Sequence, residues 1–254
     1  MLKIVPVPAF KDNYIWVLCG PGHAAVVDPG DAEPVRAFLA RERLALCAVL
    51  ATHHHPDHVG GIAQLVSQHR VPVFGPEAEP IPCMTVALAE GGRVTLPELE
   101  LSFSVLDIPG HTRGHIAYYR PGTLFCGDTL FACGCGRLFE GTPEQMYASL
   151  QKLAALPDET RFYCAHEYTL ANIRFARAVE PDNAPLKARE EHDRALRAVG
   201  EPTLPSTLGA ERATNPFLRC RERAVVAAAS AERGEALSDP VSVFAALREW
   251  KNRF

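Results

Sequence analysis

The stretch THHHPDHVGG, residues 52–61, governs the reading of this chain. It sets His53, His55, Asp57 and His58 within six residues, directly after the apolar run 46–51. Imidazole and carboxylate are the donors that zinc, manganese and iron accept. Four of them are more than one small cation draws from a single segment and about half of what a pair of ions needs. The remaining ligands should therefore lie elsewhere. Three candidates stand in the same setting: His111, Asp128 and His166 each follow a short apolar or β-branched run that reads as a buried strand. Loops at the ends of neighbouring strands can converge on one edge of a sheet, where α/β proteins place their sites.

A histidine such as His111, taken singly, is ordinarily a hydrogen-bonded residue of core or surface, and the same holds for His166 and Asp128. The cluster reverses that weighting, because a purely structural role would crowd several polar groups without partners. His54 points away from His53 and His55 on the two-residue alternation and is read as a non-ligand. His115 is read as a supporting residue, and His23, His69 and His192 as surface.

The chain has 254 residues, 47% hydrophobic and 22% charged, enough for one large or two modest domains with a proper core. No run of about 18 apolar residues is present, so no membrane-spanning helix is expected. The opening Met1-Leu-Lys-Ile-Val lacks a secretory pattern, and a cytoplasmic location is expected. Of eight cysteines only Cys133 and Cys135 are close, and without paired C-x-x-C knuckles no zinc ribbon is possible. Cys19, Cys47, Cys126 and Cys164 sit in apolar runs, as reduced core thiols do. The net charge of −4 argues against a general nucleic-acid binder. Residues 1–168 carry 12 Lys+Arg against 18 Asp+Glu, and residues 169–254 carry 14 against 12. The mild positive excess of the tail suits an anionic small substrate, or is ordinary solvated helix surface.

Strands are expected at 3–7, 14–19, 24–28, 47–51 and 71–74, helices at 33–43 and 60–69, and hairpins over 94–108 and 115–126. Asp28-Pro-Gly-Asp31 reads as a turn. A helix over 143–155 should be capped by Thr142. Past His166 the segments 168–179, 186–199 and 241–250 read as helices, and no further strand is expected. The expected division is an α/β domain, 1–168, followed by a helical domain, 169–254.

These motifs carry a resemblance. His53-x-His55-x-Asp57-His58, followed by the lone His111, Asp128 and His166, resembles the metallo-β-lactamase superfamily, which implies a four-layer αββα sandwich. Lys11-Asp-Asn-Tyr14, Gly134-Cys-Gly-Arg-Leu-Phe-Glu-Gly141, Cys164-Ala-His-Glu-Tyr168 and Asn215-Pro-Phe217 are similar to the glyoxalase II family, the hydroxyacylglutathione hydrolases. The similarity runs through the helical tail. It implies two divalent ions, zinc first with iron or manganese as the other choices. His53, His55 and His111 match the ligands of one ion, Asp57, His58 and His166 those of the other, and Asp128 the bridging carboxylate. It also implies that Arg137, Tyr168, Arg248 and Lys251 hold the glutathione moiety. Phe139 stands where some members have a hydrogen-bonding Tyr.

The implied reaction is hydrolysis of S-(2-hydroxyacyl)glutathione, chiefly S-lactoylglutathione, to glutathione and D-lactate in methylglyoxal degradation. Two cations sharing a water lower its pKa from ~15.7 toward 7, and Asp57 and Asp128 are the catalytic carboxylates that orient it. A thiolate, with a parent pKa of roughly 8.5, leaves without a strong general acid. No G-x-S-x-G elbow is present, which disfavours serine catalysis. The alternative within the superfamily is a glutathione persulfide dioxygenase, which does not need the second ligand set of Asp57, His58 and His166. A phosphodiesterase or nuclease fits the acidic first domain poorly. The expected partner is a small glutathione thioester, with no nucleic acid and no membrane, bound by a monomer.

Overall fold

The computed structural model describes residues 3–254. Met1 and Leu2, which open the run read above as lacking a secretory pattern, lie outside them. The chain forms two compact units, one of residues up to Asp107 with Arg113–Gly127, the other of Ile108–Thr112 with Asp128–Phe254.

The first unit opens with β1 (Lys3–Ala9), β2 (Asn13–Cys19) and β3 (His23–Val27), then α1 (Ala32–Glu42) and β4 (Ala45–Leu50). The short α2 (Pro56–Val59) and α3 (Ile62–Gln68) precede β5 (Val73–Pro76) and β6 (Val86–Leu88). These six strands make one sheet in sequence order, antiparallel through β3 and parallel from β3 to β6. Strands β2 to β4 are near-continuous apolar runs, as strands buried on both faces must be. Helix α1 begins where the Asp31 side chain accepts from the Glu33 amide, and Arg43 ends it in the left-handed region. Its buried Val35, Phe38 and Leu39 follow the i, i+3, i+4 spacing and pack with Ile62 and Leu65 of α3 against the sheet.

The remaining strands of this unit, β7 (Arg93–Leu96), β8 (Leu101–Asp107), β9 (Ile116–Arg120) and β10 (Thr123–Gly127), form an antiparallel meander. Alternate residues Leu101, Phe103 and Val105 of β8 are buried, the two-residue period of a half-covered strand. The fully buried Tyr118 of β9 donates its hydroxyl to the carbonyl of Ala51, 2.7 Å away, just past β4. The three-residue β6 was not expected; it is too short to show a period.

The second unit contains β11 (Leu130–Phe131), β12 (Gly134–Cys135), α4 (Pro143–Ala154), β13 (Arg161–Cys164), α5 (Thr169–Val179) and α6 (Ala184–Ala198). It ends with β14 (Ser206–Thr207), α7 (Leu208–Thr214), α8 (Arg223–Arg233) and α9 (Pro240–Arg253). Thr142 does cap α4, in a reciprocal box with Gln145. Phe175, Phe217 and Phe244 are fully buried; Phe175 stacks on Phe217 at 5.9 Å, Phe217 meets Phe244 edge-on at 5.7 Å, and Trp250 is edge-on to Phe175 at 5.2 Å. The expectation of no strand after His166 needs correction. Ser206 and Thr207 pair antiparallel with Phe162 and Arg161, held by partners 44 and 46 residues away rather than by any local preference. Helices α7 and α8 also went unread, α8 because only Val225 and Ala229 of its alanine-rich length are buried.

No disulfide joins any of the eight cysteines, and Cys83 is the exposed one. Among the described residues no helix is long and apolar enough to cross a membrane.

Candidate functional site

In the first unit the parallel pairing of β3 and β4 aligns Val27 with Leu50, so the residues beyond both strand ends meet. Asp28, in the left-handed region at φ 52°, accepts the Thr52 amide on Oδ1 and the Thr52 hydroxyl on Oδ2, each at 2.7 Å. Having donated its one proton, that hydroxyl can only accept from His53 Nδ1, 3.1 Å away. His53 Nε2 is thereby left as a lone-pair nitrogen, 3.1 Å from His55 Nδ1. Asp28 Oδ2 also accepts from His58 Nδ1 at 3.1 Å, and the lone pair of His58 Nε2 then faces Asp57 Oδ2 at 3.6 Å. Asp57 is steadied by the Asn13 amide, which donates to the same oxygen at 3.0 Å. One buried carboxylate therefore sets the tautomers of two imidazoles, as supporting carboxylates do behind metal ligands.

The packing behind this loop is tight. A Cβ on Gly30 would lie 1.8 Å from the Asp57 carbonyl oxygen, so only glycine fits there. His54 turns instead to Glu79, whose Oε2 accepts both its amide (2.6 Å) and its Nδ1–H (2.9 Å) while Oε1 accepts the Gly114 amide. His115 stacks on His53 at 4.5 Å and donates from Nδ1 to the Ile116 carbonyl.

In the second unit His111 Nδ1 donates to the Arg137 carbonyl at 2.9 Å, which fixes Nε2 as the lone-pair atom. That atom lies 3.6 Å from Asp128 Oδ2, and His166 Nε2 lies 3.2 Å from the same oxygen. The His166 ring is held flat against Tyr168 at 4.7 Å and 2°. Both histidines and the carboxylate are buried. A nitrogen lone pair aimed at a buried carboxylate is repulsive unless a proton or a metal cation lies between them. The donor chemistry of both units thus fits divalent ions, and Asp28, His53 and His58 can each bring a donor atom within 4.8 Å of the others.

The same unit contains a cavity of about 560 Å³ whose wall includes His111, Asp128, Arg137, Phe139, Tyr168, Arg248 and Lys251. Arg248, 5% exposed, donates from Nη1 to the Cys135 carbonyl at 2.8 Å and lies over the Phe217 ring. Its Nε has no hydrogen-bond partner among the described residues. Lys251 donates to the Ala171 carbonyl and lies over Phe175 and Phe254. Burial, followed by the charges of Arg248, Arg174 and Arg137, pushes its ammonium down to about 8. A buried guanidinium beside a half-buried ammonium, neither ion-paired with an acid, makes this wall of the cavity electropositive. Phe139 is 64% exposed on the rim and meets His111 edge-on at 5.3 Å.

Asp28, Thr52 and Glu79 were not singled out from sequence as site residues, and Asn13 entered only within the motif Lys11–Tyr14. Asp28 shared the position of the other candidates, immediately after a buried strand, and its turn-like neighbours concealed it.

This arrangement belongs to a known class: residues 10–166 match the metallo-β-lactamase superfamily. Residues 167–254 match the hydroxyacylglutathione hydrolase C-terminus. The chain is 57% identical to the hydroxyacylglutathione hydrolase of Nitrosomonas europaea, covering 100% of this chain and 97% of that protein. It is 58% identical to that of Nitrosomonas eutropha, covering both in full. Among solved structures it is similar to TTHA1623 in a di-iron-bound form, with 28% identity, a TM-score of 0.60, and 84% of this chain and 100% of that one covered. The chain belongs to the hydroxyacylglutathione hydrolase family of the metallo-β-lactamase superfamily.

Proposed function

We propose that the protein hydrolyses S-(2-hydroxyacyl)glutathione thioesters, chiefly S-lactoylglutathione, to glutathione and the 2-hydroxy carboxylate, in methylglyoxal degradation. The observation that carries this reading is the single cavity lined both by Asp128 and His111 and by the cations Arg137, Arg248 and Lys251. It offers donors for a metal and receptors for a peptide carboxylate in one space. The similarity to hydroxyacylglutathione hydrolases of two Nitrosomonas species supports the same substrate class.

Seven residues would hold two divalent ions, zinc before iron or manganese: His53, His55 and His111 one, Asp57, His58 and His166 the other, with Asp128 shared. The di-iron form of a similar structure supports the number. When bound, such ions acidify water and polarise a carbonyl. Asp57, tethered by Asn13, and Asp128, flanked by two imidazoles, orient the attacking water through their carboxylate oxygens. Arg248 and Lys251 receive the terminal carboxylate of glutathione, Arg137 and Tyr168 border the peptide, and Phe139 covers it by apolar contact alone. A thiolate leaves unaided because its parent pKa, roughly 8.5, is low. Residues 1–168 serve as the catalytic domain and 169–254 as the glutathione-binding domain. A cytoplasmic location fits eight cysteines without a disulfide, and the protein acts as a monomer.

The test is loss of thioester absorbance with S-lactoylglutathione, with metal analysis of the same preparation. Turnover with about two ions per chain is expected. No turnover by metal-replete protein, with oxygen uptake on glutathione persulfide instead, would overturn the reading.

A further inference from the structure

The strand pair β11–β12 is the shortest hairpin of the second unit and lies between Asp128 and Arg137. Phe131 and Cys135 on it line the cavity, and the Cys135 carbonyl is the acceptor that anchors Arg248. At its turn Cys133 adopts φ 54°, a conformation costly for any residue with a side chain. Something must hold it there.

The holding groups are polar side chains, two of them a charged pair. The Cys133 amide donates to Glu211 Oε2 at 2.7 Å, and the Asn215 side chain donates to the carbonyls of Phe131 (3.2 Å) and Gly134 (2.9 Å) and to Glu211 Oε2 (3.0 Å). Asn215 Oδ1 in turn accepts the Phe217 amide. Glu211 Oε1 is paired with Arg189 Nη1 at 2.7 Å and accepts from Ser206. Glu211 and Asn215 are fully buried. From the other side Asn172 donates to the Ala132 carbonyl, and a Cβ on Gly134 would lie 2.5 Å from its amide. A buried ion pair is a poor source of stability compared with apolar packing, and its attested use is to specify one conformation. Here the conformation specified is that of a cavity wall.

We propose that Asn215 and the Glu211–Arg189 pair are positioning residues for substrate capture, which clamp the 130–135 hairpin so that Phe131, Cys135 and Arg248 stand ready for the glutathione moiety. The clamp touches neither substrate nor metal ligand. It acts on affinity through the turn at Cys133. This rests on the glutathione thioester reading above.

The experiment compares the wild type with Asn215→Ala, Glu211→Gln and the double variant Asn215→Ala/Cys133→Gly. Four quantities are measured: KM and kcat with S-lactoylglutathione, glutathione Kd by calorimetry, metal content and Tm. Asn215→Ala is expected to raise KM and the glutathione Kd about tenfold, with kcat and metal content within about twofold, the pattern of lost binding without lost chemistry. Glu211→Gln keeps an oxygen for the Cys133 amide and should fall between. Glycine adopts a positive φ without strain, so Cys133→Gly in the Asn215→Ala background should restore KM to within about threefold of wild type.

A lowered Tm with unchanged KM and Kd in Asn215→Ala and Glu211→Gln would overturn the proposal and leave a structural role only. So would a fall in kcat together with metal content, or a double variant no better than the single one. A wild type that neither binds glutathione nor cleaves the thioester defeats the functional reading and this inference together. A competent wild type with competent variants defeats this inference alone.

Discussion

At the scale of single residues, Asp28 carries more than its place in the sequence suggests. Its two oxygens accept from Thr52 and His58, and through Thr52 it dictates the tautomer of His53. Asp28→Ala should lower metal affinity ten- to a hundredfold, the usual cost of losing such support, with activity falling in step. Metal analysis after dialysis against a weak chelator reads this directly, and full metal retention would refute it. Lys251 makes a different prediction. Its ammonium is held near 8 by burial and by the neighbouring arginines, so it is charged below that pH and neutral above it. KM for the thioester should therefore rise above pH 8 while kcat keeps its own profile, and Lys251→Arg should flatten the rise. For stability the sign is opposite to that of a favourable pair. The folded chain holds fewer protons than the unfolded one between about 8 and 10.5, so this residue's penalty is relieved as pH climbs through that window.

Among the elements, strand ends do most of the positioning, and that was legible in the sequence. A buried run closed by His or Asp was enough to mark His53, His111, Asp128 and His166. It failed for Asp28 because Pro29 and Gly30 supplied a sufficient turn explanation, and for Glu79 because its meaning lies in His54 and Gly114, 25 and 35 residues distant. Strand β14 exists only through its pairing with β13, and such a strand has no local signature. Two substitutions test the element scale. Thr142→Ala removes the reciprocal cap of α4 and should cost about 1 kcal/mol in denaturant unfolding with activity intact. Gly30→Ala should do the reverse. Its new methyl group would collide with the Asp57 backbone, displacing α2 and depleting bound metal well before the fold is lost, as metal analysis beside circular dichroism would show.

For the whole molecule, the donor sets imply that metal is part of the stability as well as the chemistry. Imidazole nitrogens and carboxylates face one another in both units, and unless a proton or a cation lies between them they repel. One ion at a thousand times its Kd stabilises by about 4 kcal/mol. Exhaustive chelation should therefore lower Tm by several degrees and zinc should restore it; an unchanged Tm would mean that the ions only visit. The helical tail was readable as helix from its own pattern, whereas Arg248 and Lys251 were marked for the glutathione moiety only through the family resemblance. Arg248 and Lys251 look like ordinary surface charges in a sequence with a small positive excess, and only their burial beside Phe217 and Phe175 distinguishes them.

One thiol, Cys83, stands apart from the seven that are sheltered or half-sheltered. Air oxidation of a purified sample would therefore join two molecules through that residue, producing a covalent pair that a sizing column could mistake for a natural dimer. Serine at position 83, or a steady supply of reductant, keeps such an artefact out of any measurement of molecular mass. The same sulfur is a ready handle for attaching a dye or a surface tether.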